Sequence, residues 1–569
     1  MSPENDRFHS EFIPTNFVAP APPTRFCADL SRERPLRWLN AFLWVALATT
    51  LAAHDSDPAP VRPVPEQEIH RPTARPDRIV LTWTGDPATS QAVSWRTDGS
   101  VARALAQIAL ATDKAQRSER EVEAATTMLE TDLGAAYFHS AEFGDLQPDT
   151  LYAYRVGDSV NWSEWFHFRT ARSEPAPFTF LYFGDAQNDI RTHWSRVVRE
   201  AFREAPRAAF TLHAGDLINR AQSDAEWGEW FGAPAWVNAT VPVIPTPGNH
   251  EYFTFGAGST NQRAWKTKHL GTIIVNIERK AERDADKKLT GYALKATNAD
   301  GLIGTAALDV HGRFLSVDAG FTELTEYTAD DLKERRPDAP PLRDRIAVPG
   351  QSRLTRHWRP QFALPLHGPA GLEESVYYLD YQGTRIVSLN SNEQHDAQAA
   401  WLREVLDANP QRWTVLTFHH PIFSPARNRD NPQLRAKWKP IFDEFKVDLV
   451  LTGHDHTYAR SGDVSGRMQT SSTNVPTGYT QVYDPKIGTV YVVSVSGPKM
   501  YDLTNDSWAV RTAEDTQLFQ VITVDGDELR YEARTATSRL YDSFRLRKRK
   551  GAANELIEAL PRQNRRPGS

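Results

Sequence analysis

From Arg78 to Ala171 the chain repeats one pattern, a short run rich in β-branched and aromatic side chains followed by a polar turn. The runs are Ile79–Trp83, Gln91–Thr97, Tyr137–Phe143, Thr150–Gly157 and Trp165–Ala171, punctuated by Gly85-Asp86-Pro87 and Gln147-Pro148-Asp149. Five or more such runs in about a hundred residues predict a β-sandwich over 77–172, with Trp95, Tyr152 and Tyr154 in its core. A module of this kind is expected to position or support, without chemistry of its own.

The pattern changes over Thr170–Pro175. Continuous apolar runs at Phe178–Gly184, Ala208–Gly215 and Val241–Gly248 predict buried strands, and 192–205 has helical periodicity. Further strands are expected at Arg385–Asn390, Trp413–Phe418 and Asp448–Gly453, with a helix over Ala397–Ala408. This alternation predicts an α/β domain over 175–546. Gly488–Gly497 and the pair Phe519–Val524 and Glu528–Arg534 are expected to complete its second sheet. About 271–349, charged at first (278–288), does not fit the alternation and is read as an insertion elaborating the surface.

Both ends of the chain look different from this body. A basic stretch, Arg32–Arg37, precedes the uncharged apolar run Trp38–Ala53, which is short for a membrane span. Residues 1–53 therefore read as a secretory leader cleaved near Ala52 or Ala53, with an uncleaved anchor as the alternative. The protein is then expected to be secreted or periplasmic, and membrane-anchored if the leader stays. Residues 54–76 are Pro-rich and polar, as in an extended linker. Residues 547–569 read as a basic, polar, solvated tail.

Composition narrows the chemistry. The 569 residues are 40% hydrophobic and 24% charged, which excludes a largely disordered chain. The net charge of -6 argues against a general nucleic-acid-coating role. The single cysteine, Cys27, excludes disulfide frameworks and Cys-ligated metals, so a metal site must be built from His, Asp and Asn.

Five short motifs each follow a predicted apolar strand: Gly184-Asp185-Ala186-Gln187, Gly215-Asp216-Leu217-Ile218-Asn219, Gly248-Asn249-His250-Glu251, His419-His420-Pro421 and Gly453-His454-Asp455-His456. Each alone is weak, since Gly-Asp is usually a turn and His-x-His usually structural. Strand C-termini are where open α/β sheets gather their ligands, so the five loops are expected to converge. Carboxylate or amide oxygens with three imidazoles suit two divalent first-row ions, not calcium or thiolate chemistry. A carboxylate shared between ions about 3.5–4 Å apart is the arrangement that ionises a water for phosphoryl displacement.

On these motifs the sequence resembles the calcineurin-like metallophosphoesterases, and within them the purple acid phosphatases. The β-rich region ahead of the motifs is similar to the fibronectin type III-like (Ig-like) N-terminal domain of the plant purple enzymes. The resemblance covers most of 78–545 outside the insertion, and implies a four-layer α/β/β/α catalytic sandwich. It implies that Asp185 and His456 bind metal one, that Asp216 bridges, and that Asn249, His419 and His454 bind metal two. His250 matches the histidine that contacts phosphate and protonates the leaving group, work suited to an imidazole. His420 is read as lying behind the ligands or facing phosphate, and Tyr458 and Arg460 as near the site. For His213 a buried structural role and a site role are equally open.

Two positions depart from the family. Asn219 stands where the purple enzymes have the iron-binding tyrosine, and Gln187 where the wider superfamily has a histidine. Metal one then draws on Gln187, Asn219, water or nothing, and the enzyme is expected to be colourless, with Mn, Zn, Fe(II) or Mg as its two ions. The expected activity is an exported, acid phosphatase-like hydrolysis of small phosphomonoesters. Phosphodiester or nucleotide hydrolysis at the same site is the alternative, and a catalytically silent binding or adhesion protein a further one. Aromatic loops at Trp227–Trp230, Trp236 and Arg356–Arg359 are read as pocket walls or as core.

Overall fold

The computed structural model describes residues 63–559 apart from 116–117, 256–261, 299, 338, 345–350, 427, 465–481 and 506. The leader, most of the Pro-rich stretch and the chain from 560 onward lie outside the described residues.

The first eight strands form the expected sandwich. One sheet orders Asp77–Thr82, Gln91–Thr97, Gly134–Phe143 and Ala125–Thr131; the other orders Arg120–Glu123, Leu105–Leu110, Leu151–Gly157 and Phe166–Arg169. Between them Leu81, Val93, Trp95, Phe143, Tyr154, Val156 and Phe168 make a closed core. The Pro-rich stretch is not an extended linker up to its end. From His70 it is tied to the sandwich, because the buried Arg96 donates to the His70 carbonyl at 2.9 Å and Asp98 N–H donates to the Thr73 carbonyl at 2.9 Å.

The α/β domain is built on a pair of seven-stranded sheets. In the first, Val243–Pro245, Thr211–His213 and Phe178–Phe183 run parallel, followed by the antiparallel strands Leu518–Asp525, Glu528–Thr535, Leu540–Arg549 and Ala552–Glu558. In the second, Tyr377–Tyr381 flanks the parallel strands Thr384–Ser388, Trp413–Phe418, Leu449–Thr452 and Val490–Val493, followed by Tyr458–Ser461 and Ala509–Ala513. The central parallel strands are buried on both faces, which is why they read as unbroken apolar runs. Phe180, Tyr182 and Leu212 of one sheet share a core with Ile386, Val415, Leu451 and Val492 of the other. Ser195–Glu204 covers the outer face of the first sheet with Val197, Val198 and Ala201. His395–Asp407 and Pro432–Glu444 cover the second with Leu402, Leu406, Trp438 and Phe442. The four-layer expectation therefore holds.

Two further sequence expectations need correction. The insertion is more than a surface elaboration, because strands from Gln262 to Asp344 form a six-stranded antiparallel sheet around Trp265, Leu294, Phe314 and Phe321. The charged residues 278–283 lie on the exposed end of its long hairpin, where they hide the alternation. The supposed tail is, up to Glu558, the last hairpin of the first sheet. Leu546 and Ala553 point inward, while Arg547 and Glu555 pair across the strands at 3.6 Å. Alternation with charged outward positions made these strands look like a solvated segment.

The sandwich is docked on the α/β domain. Arg78 and Arg96 both bind the buried Asp224, at 2.8 and 3.0 Å, and Tyr154 Oη donates to the Ala239 carbonyl at 2.7 Å.

Candidate metal centre

Each motif begins where a strand ends. Asp185 lies two residues beyond Phe178–Phe183, Asp216 three beyond Thr211–His213, and His419 directly after Trp413–Phe418. Backbone crowding explains the glycines. Gly215 has φ +86°, and a Cβ there would sit 2.8 Å from His419 Nδ1; one on Gly453 would collide with Asp185 Oδ1.

Two groups of donor atoms result, His419, His420 and His454 in one and Asp185, Asp216 and His456 in the other, each within 4.8 Å. In the first, His419 Nδ1 donates to the Ala214 carbonyl at 2.9 Å, which leaves Nε2 facing inward. That atom lies 3.0 Å from Asn249 Oδ1, 3.0 Å from His454 Nδ1 and 3.1 Å from Asp216 Oδ2. In the second, His456 Nδ1 donates to the Lys499 carbonyl at 2.9 Å, so Nε2 faces Asp185 Oδ2 at 3.2 Å. Asp216 faces both groups, as a shared carboxylate must.

Electron-pair donors that converge in this way need a cation. Burial opposes charge on His419, yet Asp216 and Asp185 raise its pKa to about 9, so the pocket attracts positive charge. Burial raises Asp185 to about 7, with His419 pulling against it and Asp216 adding to it. Burial holds His456 down at about 4 and His420 at about 3, and places His454 well below its usual range, which keeps these rings neutral. Neutral imidazoles are the form that ligates. Buried Asp185 Oδ2 accepts no hydrogen bond, and neither does Gln187 Oε1. The residues fit a metal centre.

His250 stands apart with a different task. Its backbone N–H donates to Asp216 Oδ1 at 2.9 Å, and its Nδ1 donates to the Asn219 carbonyl at 2.6 Å. Nε2 is thereby the free nitrogen, 3.9 Å from Asp216 Oδ2 on a side chain 27% exposed. Gln187 lies inside the site, its Nε2 3.0 Å from Asp216 Oδ2 and 2.8 Å from His456 Nε2. With the amide turned over, its oxygen would face the cluster instead. Asn219 contributes its carbonyl to His250, and its side chain makes no hydrogen bond to the cluster. Of the two amide side chains open for metal one, Gln187 is the one that reaches the cluster. His420 stands beside His454, their ring centroids 4.3 Å apart, with Nδ1 2.9 Å from Ser391 Oγ.

Three expectations move away from the site. His213 is buried among Phe183, Trp194 and Trp230, a structural histidine held at about 3 by desolvation. Tyr458 and Arg460 bind Asp542, at 2.7 and 2.6 Å, in a buried network between the two sheets. Trp227, Trp230 and Trp358 are core residues, not pocket walls.

Other site residues were missed. The carboxylate of Glu251 takes N–H groups of Asp216, Leu217, Ile218 and Gly248, at 2.9, 2.8, 3.3 and 2.6 Å. It clamps the second motif to the third, while burial and Asp216 push its pKa up to about 8. Ser391 positions His420, and Asn392 Nδ2 donates to the Gly248 carbonyl at 3.3 Å. Both follow the strand Thr384–Ser388, so the strand-end rule that found the other loops also pointed here.

The comparisons agree with this geometry. Residues 76–170 match the family described as purple acid phosphatase, N-terminal domain, and 178–356 with 349–458 match calcineurin-like phosphoesterase. An uncharacterized protein of Mycobacterium tuberculosis is 29% identical over 451 residues, which are 73% of this chain and 68% of that one. Acid phosphatase type 7 of Danio rerio is 33% identical over 120 residues, 20% of this chain and 26% of that one. A purple acid phosphatase from yellow lupin (Lupinus luteus) seeds shares the fold, with a TM-score of 0.53 at 16% identity over 83% of this chain and 74% of that one. The fold and family together define a metallophosphoesterase, a hydrolase of phosphoric esters. The chain belongs to the calcineurin-like phosphoesterases, in their purple acid phosphatase-like branch.

Proposed function

We propose that this enzyme is an exported phosphomonoesterase of acid phosphatase type, working with two divalent ions drawn from Mn, Zn, Fe(II) and Mg. Asp185, His456 and Gln187 would hold one ion, Asn249, His419 and His454 the other, with Asp216 shared. Bound there, the ions would supply Lewis acidity for displacement at phosphorus.

The observation that carries the reading is the setting of His250. The Asn219 carbonyl accepts only, so the proton on Nδ1 is fixed and Nε2 is the nitrogen that meets substrate. In the doubly protonated ring, Nε2–H donates to a phosphoryl oxygen or hands its proton to the departing alcohol. Glu251 keeps the His250 loop in register with Asp216, so donor and shared carboxylate are placed as one unit.

The test is hydrolysis of p-nitrophenyl phosphate and of its bis-ester, with Mn, Zn or Mg added in turn. The monoester should be the better substrate; preference for the bis-ester would replace this reading with a phosphodiesterase. His250→Ala should lower kcat by about 10²–10⁴-fold, and Asp216→Ala should abolish turnover. Parent-like rates in both variants would remove the site assignment. Export rests on the leader, outside the described residues, and sequencing the N-terminus of secreted protein tests it. Among the described residues no helix is long and apolar enough to cross a membrane.

A further inference from the structure

Two loops form a single rim on the His456 side of the cluster. One continues from the strand Val490–Val493 through Lys499 and Tyr501; the other continues from His419 through Arg429. Ala426 and Leu503 form a β-bridge between them, and the amides of Thr504 and Asn505 both donate to the Pro425 carbonyl, at 3.0 and 2.9 Å. The rim is also fastened to the ligand. Tyr501 N–H donates to the His456 carbonyl at 3.1 Å, and the Tyr501 ring stacks on the His456 imidazole at 4.5 Å and 27°.

Two cations gather on that ring. The Arg429 guanidinium lies 5.0 Å from its centroid and Lys499 Nζ 5.5 Å. Arg429 is already engaged, with Nε on Asp455 Oδ1 at 2.8 Å and Nη2 on the His454 carbonyl at 2.9 Å. Lys499 differs, since it forms no ion pair with any described residue although it is only partly exposed. With the Tyr501 ring as its contact and no described carboxylate in ion-pair range, the Lys499 ammonium is available to an incoming anion. The phosphoryl group under attack belongs to the cluster itself, so the anion Lys499 answers lies elsewhere on the substrate.

We propose that Lys499, held over Tyr501 beside Arg429, is a specificity-determining residue that selects phosphoesters whose leaving group carries a second anionic group, a phosphate or a carboxylate. The proposal rests on the phosphoesterase reading and adds a substrate class to it.

Phenyl phosphate and 4-carboxyphenyl phosphate differ by one negative charge, and ADP presents a second phosphate in place of the carboxylate. For the parent, kcat/KM should favour 4-carboxyphenyl phosphate and the phosphoanhydride ADP, each with a second anionic group, over phenyl phosphate. Lys499→Met keeps most of the aliphatic stem on Tyr501 and removes the charge. It should cut that preference about tenfold, mainly through KM, and Lys499→Arg should restore most of it. Loss for ADP alone identifies a phosphate-reading site, and loss for the carboxylate alone a carboxylate-reading one. Equal kcat/KM for all three substrates in the parent, or a preference unmoved by Lys499→Met, overturns the proposal. A binding measurement separates it from the catalytic reading. By calorimetry with Mn present, inorganic pyrophosphate should bind the parent more tightly than inorganic phosphate, and Lys499→Met should narrow the gap. If the parent hydrolyses no ester yet binds in this order, the phosphoesterase reading fails and the anion site stands. If pyrophosphate and phosphate bind alike, the anion site fails.

Discussion

Asn219 shows how one residue can lose a family role and keep a local one. Its carbonyl fixes the tautomer of His250, a task any residue type could perform, while its side chain stays off the metal cluster. With no phenolate at that position, the purified protein should show no strong visible charge-transfer band, and an intense band near that of a ferric phenolate would contradict the assignment. Gln187 is the converse case, a side chain inside the cluster with its Oε1 unpartnered. The six ligand candidates and His250 were legible because their residue types have few other reasons to follow apolar strands in that order. Glu251 was less legible. A glutamate after a histidine is ordinary, and only the four backbone N–H groups closing on it show what it holds.

At the scale of elements, the apolar runs identified the parallel strands well because burial on both faces leaves little room for polar residues. Where one face met water, the pattern was diluted. Leu105–Leu110 and the strands of the insertion carry enough alanine and charge to pass for loops, and Ala552–Glu558 passed for a tail. The helix Asp224–Gly232 was read only as an aromatic loop, yet its first residue joins the two domains. Asp224 is 2% exposed and receives Arg78 and Arg96 together. Asp224→Ala leaves two guanidinium groups buried at a domain seam, and should cost about 3–5 kcal/mol in urea unfolding. A loss below about 1 kcal/mol would mean that water screens this pair as it screens surface pairs.

The whole molecule carries its own pH limit. His139 bridges two strands of the sandwich between Thr97 Oγ1 and Thr126 Oγ1, at 2.7 and 2.9 Å, and burial holds it down at about 4. An unfolded histidine titrates near 6.5. Between those values the unfolded chain binds the extra proton, so this contribution is fully present above pH ~6.5 and is lost as pH falls toward 4. Buried His213, held at about 3, acts with the same sign over a wider range. Melting temperature should therefore fall between pH 7 and 4, and His139→Gln should flatten the fall; an unchanged slope would shift the cause to other groups. The fold has one further consequence, concerning the order in which the enzyme comes into being. All six ligand candidates lie before residue 457, yet the strand that presents Asp185 has as its neighbour Leu518–Asp525, with Tyr182 opposite Gln520. A nascent chain can therefore hold every ligand candidate and still lack one of the two neighbours of the strand that leads to Asp185. Contacts so distant in sequence form late, which makes competence a property of the finished chain and leaves unfinished ones without an ordered centre to load.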